Sequence, residues 1–373
     1  MIRSAPAAIA ASLLAGLTLA ACGDPGSAVD QSPPTAAGVE GVPDSSLTEG
    51  ARPSGQTLRT VRQRGRLHCG VHQGLVGFAY TDNRGRWRGF DVDFCRATAA
   101  AVLGNADAIR FSPLSARERF TALQSGEVDV LWRNTSWTLS RDASLGLDFG
   151  GVNYYDGQGF MVRRSLNLNS ATELNGARIC VQTGSTTELN LADYFRARGL
   201  RYEAVVVETE DQARSNYARE ACDAFTADIS ALAAARTTMP NPQSHMILPE
   251  VISKEPLGPV VRQDDAQWAD IVRWTLYAIV LAEELGVTSQ NVDEMRRTST
   301  NPDVRRLLGV EGGFGEMLGL GNDWAANAIR AVGNYGQIFD RNIGSGSPLD
   351  LERGLNAQWN APRPGLMYAP PIR

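Results

Sequence analysis

Two segments of this 373-residue chain carry groups that could bind a small anion. Arg141 follows the end of an apparent strand, and a guanidinium can hold both oxygens of a carboxylate. Ser185, Thr186 and Thr187 open an apparent helix, where unpaired backbone N–H groups and the helix dipole favour negative charge. Each segment has a purely structural alternative, because Arg141 could pair with Asp142 on the surface and Ser185 could simply cap its helix.

The composition argues against several other chemistries. Lys254 is the only lysine, which disfavours Schiff-base catalysis and a phosphate-binding lysine loop. No CxxC motif occurs, so zinc binding and redox catalysis have little support. We expect neither a metal nor a cofactor. The formal net charge is −5 and no long basic run occurs, so nucleic acid is not expected as a partner.

The N-terminal segment is typical of an export signal. Arg3 precedes a mostly apolar run that is too short to span a bilayer, so we interpret residues 1–21 as a signal peptide. The run ends in Leu19-Ala20-Ala21-Cys22-Gly23, which is similar to a bacterial lipobox and predicts lipidation of Cys22; cleavage without a lipid is the alternative. Residues 22–55 are rich in Pro, Gly, Ser and Ala, which predicts a flexible tether.

From Arg66 onward, short apolar runs alternate with helical patterns, as in α/β proteins with mostly parallel sheets. The predicted strands lie at 67–71, 109–111, 128–132, 177–181, 202–207, 224–227 and 258–261. A long amphipathic helix follows the last strand and ends at Gly286. Asp228 stands at the end of one strand, and Asn134 and Ser136 follow another.

Four cysteines lie beyond the predicted signal segment and its Cys22. An exported chain meets an oxidising compartment, so disulfides are expected, and four cysteines allow three pairings. Cys69 and Cys180 each lie on a predicted strand, with Cys95 and Cys222 on later elements. We predict the pairs Cys69–Cys95 and Cys180–Cys222.

An ordered set of short motifs resembles the extracytoplasmic solute-binding proteins of polar amino-acid ABC transporters, known as family 3. The motifs are Gly89-Phe90-Asp91-Val92-Asp93, 123–130, Thr138-Leu139-Ser140-Arg141 and Gln182-Thr183-Gly184-Ser185-Thr186-Thr187. The segments 154–160 and Val332-Gly333-Asn334-Tyr335-Gly336 resemble the branch of general L-amino-acid-binding periplasmic proteins. The resemblance covers residue 56 to the C-terminus.

The resemblance implies a periplasmic-binding-protein-like fold, with two α/β lobes joined by a two-strand hinge and the ligand in the interlobe cleft. Transferred to this chain, lobe 1 comprises 56–155 plus 257–373, and lobe 2 comprises 159–254. The hinge lies at 155–158 and 255–258. The long C-terminal segment is expected to pack on lobe 1.

The resemblance also implies roles for individual residues. Arg141 matches the family's carboxylate-binding arginine, and Ser185, Thr186 and Thr187 are expected beside the same carboxylate. The expected ligands of the ammonium are Asp228, Asn134 and Ser136. A lone aspartate at a strand end is more often a turn residue, which is the structural alternative for Asp228.

The side-chain pocket is harder to assign. Loop positions at strand ends suggest His72, Leu75, Phe78 and Trp137, although the aromatic residues could instead belong to the core. Arg117 and Gln182 are further candidates. His72 stands where other family members carry an acidic residue, and Gln182 replaces a basic one. The sequence therefore predicts broad specificity with weak selection for side-chain charge.

The predicted function is a monomeric, non-catalytic receptor for L-amino acids. The resemblance implies that it works in the periplasm, lipid-anchored through Cys22, and delivers its ligand to an inner-membrane ABC permease complex. The alternative is a periplasmic dehydratase-like enzyme on the same scaffold, since a fold alone does not determine function. Such an enzyme needs a general acid or base, for which His72 and Glu188 are the nearby candidates.

Overall fold

The computed structural model describes residues 55–373. The predicted signal peptide (1–21), Cys22 and all but the last residue of the predicted tether (22–55) lie outside the described residues.

Strands and helices alternate through the described chain. The strands are β1 (Leu67–His72), β2 (Tyr80–Thr81), β3 (Trp87–Arg88), β4 (Ile109–Leu114), β5 (Val130–Ser136), β6 (Leu147–Phe149), β7 (Tyr154–Asp156), β8 (Gln158–Arg163), β9 (Arg178–Gln182), β10 (Glu203–Val207), β11 (Ala224–Asp228), β12 (His245–Ile247) and β13 (Glu255–Arg262). The helices are α1 (Gln56–Arg64), α2 (Phe90–Leu103), α3 (Glu118–Gln124), α4 (Leu139–Ser144), α5 (Thr186–Ala197), α6 (Glu210–Ala218), α7 (Ile229–Thr237), α8 (Ala266–Glu284), α9 (Val292–Thr298), α10 (Pro302–Leu307), α11 (Phe314–Met317), α12 (Trp324–Val332) and α13 (Tyr335–Asn342). Single 3₁₀ turns occur at Arg164–Leu166, Ala171–Leu174, Pro242–Ser244 and Gly354–Asn356.

Most of these strands form two mixed sheets. Sheet 1 has the order β4-β1-β5-β13-β6, and β7 also pairs with β13; sheet 2 has the order β10-β9-β11-β8-β12. β1 runs parallel to β4 and β5, and β9 runs parallel to β10 and β11. β13 and β8 are antiparallel to their neighbours. The α/β class predicted from the sequence is confirmed, although antiparallel strands are more numerous than expected.

The chain passes between the sheets twice. β7 belongs to sheet 1 and β8 to sheet 2, so the first crossing is at Gly157; the return lies between β12 and β13. A Cβ atom at Gly157 would lie 2.3 Å from Val251 Cγ1 and 3.0 Å from the Ser253 carbonyl oxygen. The two crossing segments therefore pack too closely for a side chain at this position.

The C-terminal helices pack against the α2 side of sheet 1. The rings of Tyr335 and Phe339 lie 5.8 and 6.5 Å from the ring of Phe90. The Asn356 side chain forms two hydrogen bonds with the backbone of Tyr155. Its Oδ1 accepts from the Tyr155 N–H at 2.7 Å, and its Nδ2 donates to the Tyr155 carbonyl oxygen at 3.0 Å. Because Tyr155 lies on β7, the C-terminal segment supports the first crossing directly.

Each sheet carries one disulfide. Cys69 of β1 is bonded to Cys95 of α2, and Cys180 of β9 is bonded to Cys222, which precedes β11. Both predicted pairings are confirmed. Each bond fixes a central strand to an element beside it.

Removing either disulfide should lower the free energy of unfolding by roughly 3 to 4 kcal/mol in the chain-entropy model. The closed loops span 26 and 42 residues, so the effect should be similar for both. Urea unfolding of the double variants Cys69→Ser/Cys95→Ser and Cys180→Ser/Cys222→Ser against the oxidised wild type measures the loss. A loss below about 1 kcal/mol in both variants contradicts a stabilising role.

Candidate functional site

The carboxyl ends of parallel strands from both sheets meet at one cavity of about 40 Å³. Sheet 1 contributes the end of β5 and the α3 segment that follows β4, and sheet 2 contributes the ends of β9 and β11 with the start of α5. Ligands of α/β proteins commonly bind at such strand ends. The lining includes seven of the predicted residues, namely Asn134, Ser136, Gln182, Ser185, Thr186, Thr187 and Asp228.

Asp228 brings a buried carboxylate to this cavity. Asp228 is only 8% exposed, and none of the described residues donates a hydrogen bond to its side chain, although it is the N-cap residue of α7. Burial raises the pKa of Asp228 well above its usual range, and the neighbouring carboxylates of Asp156, Glu255 and Glu210 raise this pKa further. A desolvated carboxylate without a donor is suited to a cationic group of a ligand.

The start of α5 faces the same cavity. The Ser185 side chain accepts a hydrogen bond of 3.2 Å from the backbone N–H of Glu188, so this residue is an N-cap. Thr186 and Thr187 occupy the first turn, whose N–H groups have no acceptor within the helix. The structural and the functional interpretations of this turn are therefore compatible, because the capped turn itself presents N–H donors to an anion.

Glu255 links the two sides of the cavity. Its carboxylate accepts hydrogen bonds from Ser136 at the end of β5, from Thr186 Oγ1 at 2.8 Å and from Asn190 Nδ2 at 2.8 Å. Ser253 Oγ donates to it as well, at 2.6 Å. The Ser136 proton is directed at Glu255, so the Ser136 oxygen is left to accept from a ligand. No local pattern in the sequence indicates this role of Glu255.

Arg141 is buried beside the cavity and does not line it. Its Nη1 donates to the backbone oxygen of Ser136 at 2.9 Å, and its guanidinium carbon lies 5.3 Å from the centre of the Phe120 ring. Burial lowers the pKa of Arg141, which Glu255 and Asp228 partly oppose. Asn134 has a φ of 31°, a left-handed conformation that asparagine tolerates, and its N–H donates to Asp91 at 3.0 Å.

Two arginines that were not predicted from the sequence, Arg119 and Arg133, also line this cavity. Arg119 Nη1 donates to Thr135 Oγ1 at 3.3 Å, and Arg133 Nε donates to the Leu114 carbonyl oxygen at 3.0 Å. Burial lowers the pKa of Arg119 well below its usual range and that of Arg133 to about 10. Helical spacing offered a signal for Arg119, which lies four residues before the buried Leu123 and so on the inward face of α3.

A second, larger cavity adjoins the first. It measures about 400 Å³ and lies between the 72–76 loop of sheet 1 and segments 209–214 and 234–238 of sheet 2. Glu210 lines both cavities. We call this larger cavity the outer cavity and the cavity of about 40 Å³ the inner cavity. His72 and Leu75, both predicted to line the side-chain pocket, line the outer cavity.

His72 and Glu210 meet where the cavities adjoin. His72 Nδ1 accepts from the Gly74 N–H at 3.1 Å, and His72 Nε2 lies 3.3 Å from Glu210 Oε2. Burial lowers the pKa of His72, which favours the neutral ring. With Nδ1 acting as the acceptor, the neutral ring carries its proton on Nε2 and donates it to Glu210.

Three predicted pocket residues are placed elsewhere. Phe78 is fully buried in an aromatic cluster, with its ring 5.9 Å from Phe90 and 5.5 Å from Tyr154, so its assignment to the pocket was wrong. Trp137 is 39% exposed and stacks on Phe149 at 5.5 Å outside both cavities.

Arg117 is exposed and pairs with Glu208 at 3.3 Å, so its guanidinium binds a carboxylate at the cleft rim and not in either cavity. Gln182 lines the inner cavity, and its Nε2 donates to the Glu208 carbonyl oxygen at 3.1 Å. Phe78, Trp137 and Arg117 therefore have other contacts: Phe78 packs in the aromatic core, Trp137 stacks on Phe149, and Arg117 forms an ion pair with Glu208.

The described residues, 55–373, contain neither a metal centre nor a membrane-spanning helix. No group of histidine, cysteine, aspartate and glutamate in this range is arranged to hold a metal ion. In the same range, no helix is long and apolar enough to cross a membrane.

Solved structures share this architecture. An ABC transporter periplasmic binding protein from Brucella ovis, with glutathione bound, superposes with a TM-score of 0.83 at 56% identity, covering 86% of this chain and 100% of that one. An ancestral arginine-binding protein bound to glutamine gives a TM-score of 0.51 at 25% identity, covering 65% of this chain and 96% of that one.

Sequence comparisons identify the family. The general L-amino acid-binding periplasmic protein of Rhizobium johnstonii is 58% identical over 322 residues, covering 86% of this chain and 94% of the relative. The glutamate/glutamine/aspartate/asparagine-binding protein of Rhodobacter capsulatus is 55% identical, with the same coverage of each chain. Residues 67–290 match the family model described as bacterial extracellular solute-binding proteins, family 3. On this evidence the chain belongs to the bacterial extracellular solute-binding proteins of family 3.

Proposed function

We propose that this protein is a non-catalytic periplasmic receptor that binds L-amino acids broadly and delivers them to an inner-membrane ABC permease. The observation that carries the proposal is the pairing, in one cavity, of the donor-free carboxylate of Asp228 with the N-terminus of α5. An α-amino acid carries an ammonium and a carboxylate on one carbon, which these two features complement. The Rhizobium and Rhodobacter relatives, both named as amino-acid-binding proteins, support this choice.

The proposed contacts follow from the chemistry of each group. Asp228, with oxygen acceptors of Asn134 and Ser136, binds the ammonium. The N–H groups of the turn 185–187 bind the carboxylate. Arg141, buried beside Ser136, supplies the positive charge that balances that carboxylate.

Binding is proposed to be coupled to closure of two lobes, 56–155 plus 257–373 and 159–254, about the segments 155–158 and 255–258. Glu255 supports this coupling, because it accepts hydrogen bonds from Ser136 on one side of the cleft and Thr186 on the other. A ligand that contacts both sides favours the closed arrangement by its differential affinity for it.

The absence of catalysis is also part of the proposal. Of the two candidate general acids or bases, Glu188 accepts a hydrogen bond from the Gly184 N–H at 2.9 Å, and His72 bonds with Gly74 and Glu210. Both side chains therefore have structural partners.

We further propose that the mature protein is monomeric and is attached to a membrane through a lipid on Cys22.

Substitution of the charged groups should weaken binding of every L-amino acid. Asp228→Asn and Arg141→Ala should each lower affinity roughly 100-fold, about 3 kcal/mol, because each leaves an opposite charge desolvated and unpaired. Isothermal titration of ligand-stripped protein with L-glutamine, L-leucine and L-alanine measures the loss.

Arg110→Ala is the matched control for Arg141→Ala, since Arg110 is an exposed arginine on β4. Its affinities should stay within about twofold of the wild type. A loss confined to one amino acid, or none in either site variant, would refute the assignment of Asp228 and Arg141 to the common groups of the ligand.

Amino-acid binding should release protons. The pKa of Asp228 is raised in the free protein, and an ammonium stabilises the ionised carboxylate, so binding should lower this pKa. Affinity should therefore increase as the pH is raised from about 5 to about 8, above the usual aspartate range. Titration calorimetry in two buffers of different ionisation enthalpy counts the protons, and Asp228→Asn should abolish their release; equal proton release by that variant would contradict the prediction.

A second candidate ligand is a γ-glutamyl peptide such as glutathione. The outer cavity of about 400 Å³ favours it, because this cavity adjoins the charged one at Glu210 and is far larger than an ordinary side chain requires. The related Brucella protein was solved with glutathione bound. The glutamyl α-groups would occupy the inner cavity and the remainder of the peptide the outer one.

Filling the outer cavity should separate the two ligand classes. Thr238 lines it and is exposed, so Thr238→Trp should lower affinity for glutathione about tenfold or more while changing that for L-glutamate by less than about threefold. Thr237→Trp, one residue away on the exposed end of α7 and outside the lining, is the control. Unchanged glutathione binding in Thr238→Trp, or no glutathione binding by the wild type, would eliminate the second candidate.

A further inference from the structure

The backbone of Asn134, which lines the inner cavity, departs from regular strand geometry. Its φ of 31° lies in the left-handed region, which a residue with a Cβ atom adopts at a conformational cost. The register of β5 with β13 is interrupted here, because residues 132–134 stand opposite the single residue Pro259. Proline has no N–H, so Pro259 donates no backbone hydrogen bond to this part of β5. The conformation of Asn134 therefore depends on groups outside the regular pairing of β5 with β13.

Asp91 supplies such a group. It lies in the first turn of α2 and is 1% exposed, and its Oδ2 accepts from the Asn134 N–H at 3.0 Å. Its Oδ1 accepts from Asn153 Nδ2 at 3.4 Å. The backbone of Asn153 is fixed in turn, because its N–H donates to the Leu257 carbonyl oxygen at 2.9 Å and its oxygen accepts from the Tyr335 hydroxyl at 2.9 Å. One carboxylate oxygen of Asp91 is thus anchored, and the other holds Asn134.

Burying this carboxylate is unfavourable. Its hydrogen-bond donors are amides, and burial raises the pKa of Asp91 to about 7, against the lowering effect of those hydrogen bonds and of the charge on Arg133. A structural explanation would be the helix dipole, which favours a carboxylate in the first turn of α2. Asp93 lies in the same turn, however, and accepts hydrogen bonds from Arg96 at 3.3 Å and from Arg341 at 2.8 Å. A carboxylate with cationic partners therefore already meets the dipole, which does not account for Asp91.

The contacts of Asn134 indicate which of its oxygens faces a ligand. Its side-chain Oδ1 accepts from Arg133 Nη1 at 3.3 Å. The backbone oxygen lies in the stretch of β5 opposite Pro259, which has no N–H to donate. The backbone oxygen is therefore the acceptor available to an ammonium group, and the backbone conformation determines its direction.

We propose that Asp91 is a positioning residue for ligand binding, which holds the left-handed backbone of Asn134 so that its carbonyl oxygen is aimed at the α-ammonium group before the ligand arrives. Asp91 does not line the inner cavity and acts only through Asn134. This inference rests on the proposed function, in which Asn134 is one of the acceptors of the ammonium. A preformed acceptor binds more tightly than one that must be ordered on binding. Because the α-ammonium is common to all α-amino acids, the contribution of Asp91 is the same for each of them.

Asp91→Leu tests this role, since leucine has a similar shape and removes both acceptor oxygens. It should lower affinity for L-glutamine, L-leucine and L-alanine by about tenfold each, in titration calorimetry of ligand-stripped protein. Asp91→Asn keeps an acceptor oxygen and should stay within about threefold of the wild type. Asp93→Asn is the matched control in the same turn of α2, and its affinities should also stay within about threefold, because the hydrogen-bond partners of Asp93 lie outside the cavity lining.

A second background distinguishes positioning from a general loss of stability. Glycine adopts a left-handed conformation without a Cβ penalty, so the backbone at position 134 no longer needs Asp91 in the Asn134→Gly protein. In that background the further change Asp91→Leu should lower affinity by less than about threefold. A residue that only stabilises the fold would cause the same loss in both backgrounds.

Each result gives a decision. A change below about threefold in folded Asp91→Leu, a loss confined to one amino acid, or an equal loss in both backgrounds overturns the inference and leaves the proposed function intact. A wild type that binds no L-amino acid overturns both. If circular dichroism shows Asp91→Leu to be unfolded, hydrogen exchange of the ligand-stripped wild type decides: the Asn134 amide should exchange at least about 100-fold more slowly than an unprotected amide, and exchange at the unprotected rate overturns the inference.

Discussion

The structure depends on the burial of charged groups between two sheets with few ion pairs to offset the desolvation. Arg119, Arg133 and Asp228 are each less than a tenth exposed, and none of the three forms an ion pair with another. Burying such groups unpaired is unfavourable in a stably folded domain. A ligand that carries both a positive and a negative charge would pair with these groups. Binding such a ligand would then offset the desolvation penalty that the protein alone does not offset.

The same charges are connected to the segments that join the sheets. Glu255 begins β13 and accepts hydrogen bonds from both sides of the cleft, while Asp156 ends β7 and accepts hydrogen bonds from Ser230. Burial raises the pKa of Asp156 to about 6, with Glu255 contributing. Carboxylates at both crossings therefore share the electrostatic environment of Asp228, so the proposed closure of the lobes would be linked to ionisation of the site.

The sequence predicted those features that depend on local patterns. The positions of seven strands, the N-cap at Ser185 and the two disulfides could be inferred because periodicity, capping chemistry and compartment act within short segments. The strand ends were less accurate: β5 extends to Ser136, so Asn134 and Ser136 lie within this strand and do not follow it. Phe78 was misplaced because a loop aromatic has no local signal that distinguishes a cleft from a core formed by Phe90 and Tyr154. Arg119 and Arg133 were missed for a similar reason, since the carboxylates that surround them belong to elements distant in sequence or to the other sheet.

The division of the cleft into two cavities explains how broad binding and selectivity can coexist. Under the proposed function, the groups that match features common to all α-amino acids lie on regular elements, at the start of α5 and the end of β11. The 72–76 loop bounds the outer cavity on one side. This loop contacts α6, on the sheet 2 side, through the pair of His72 and Glu210. A loop is more easily displaced than a strand end, so ligands of different length can share one recognition site for their common groups and differ only in how far they displace the boundary.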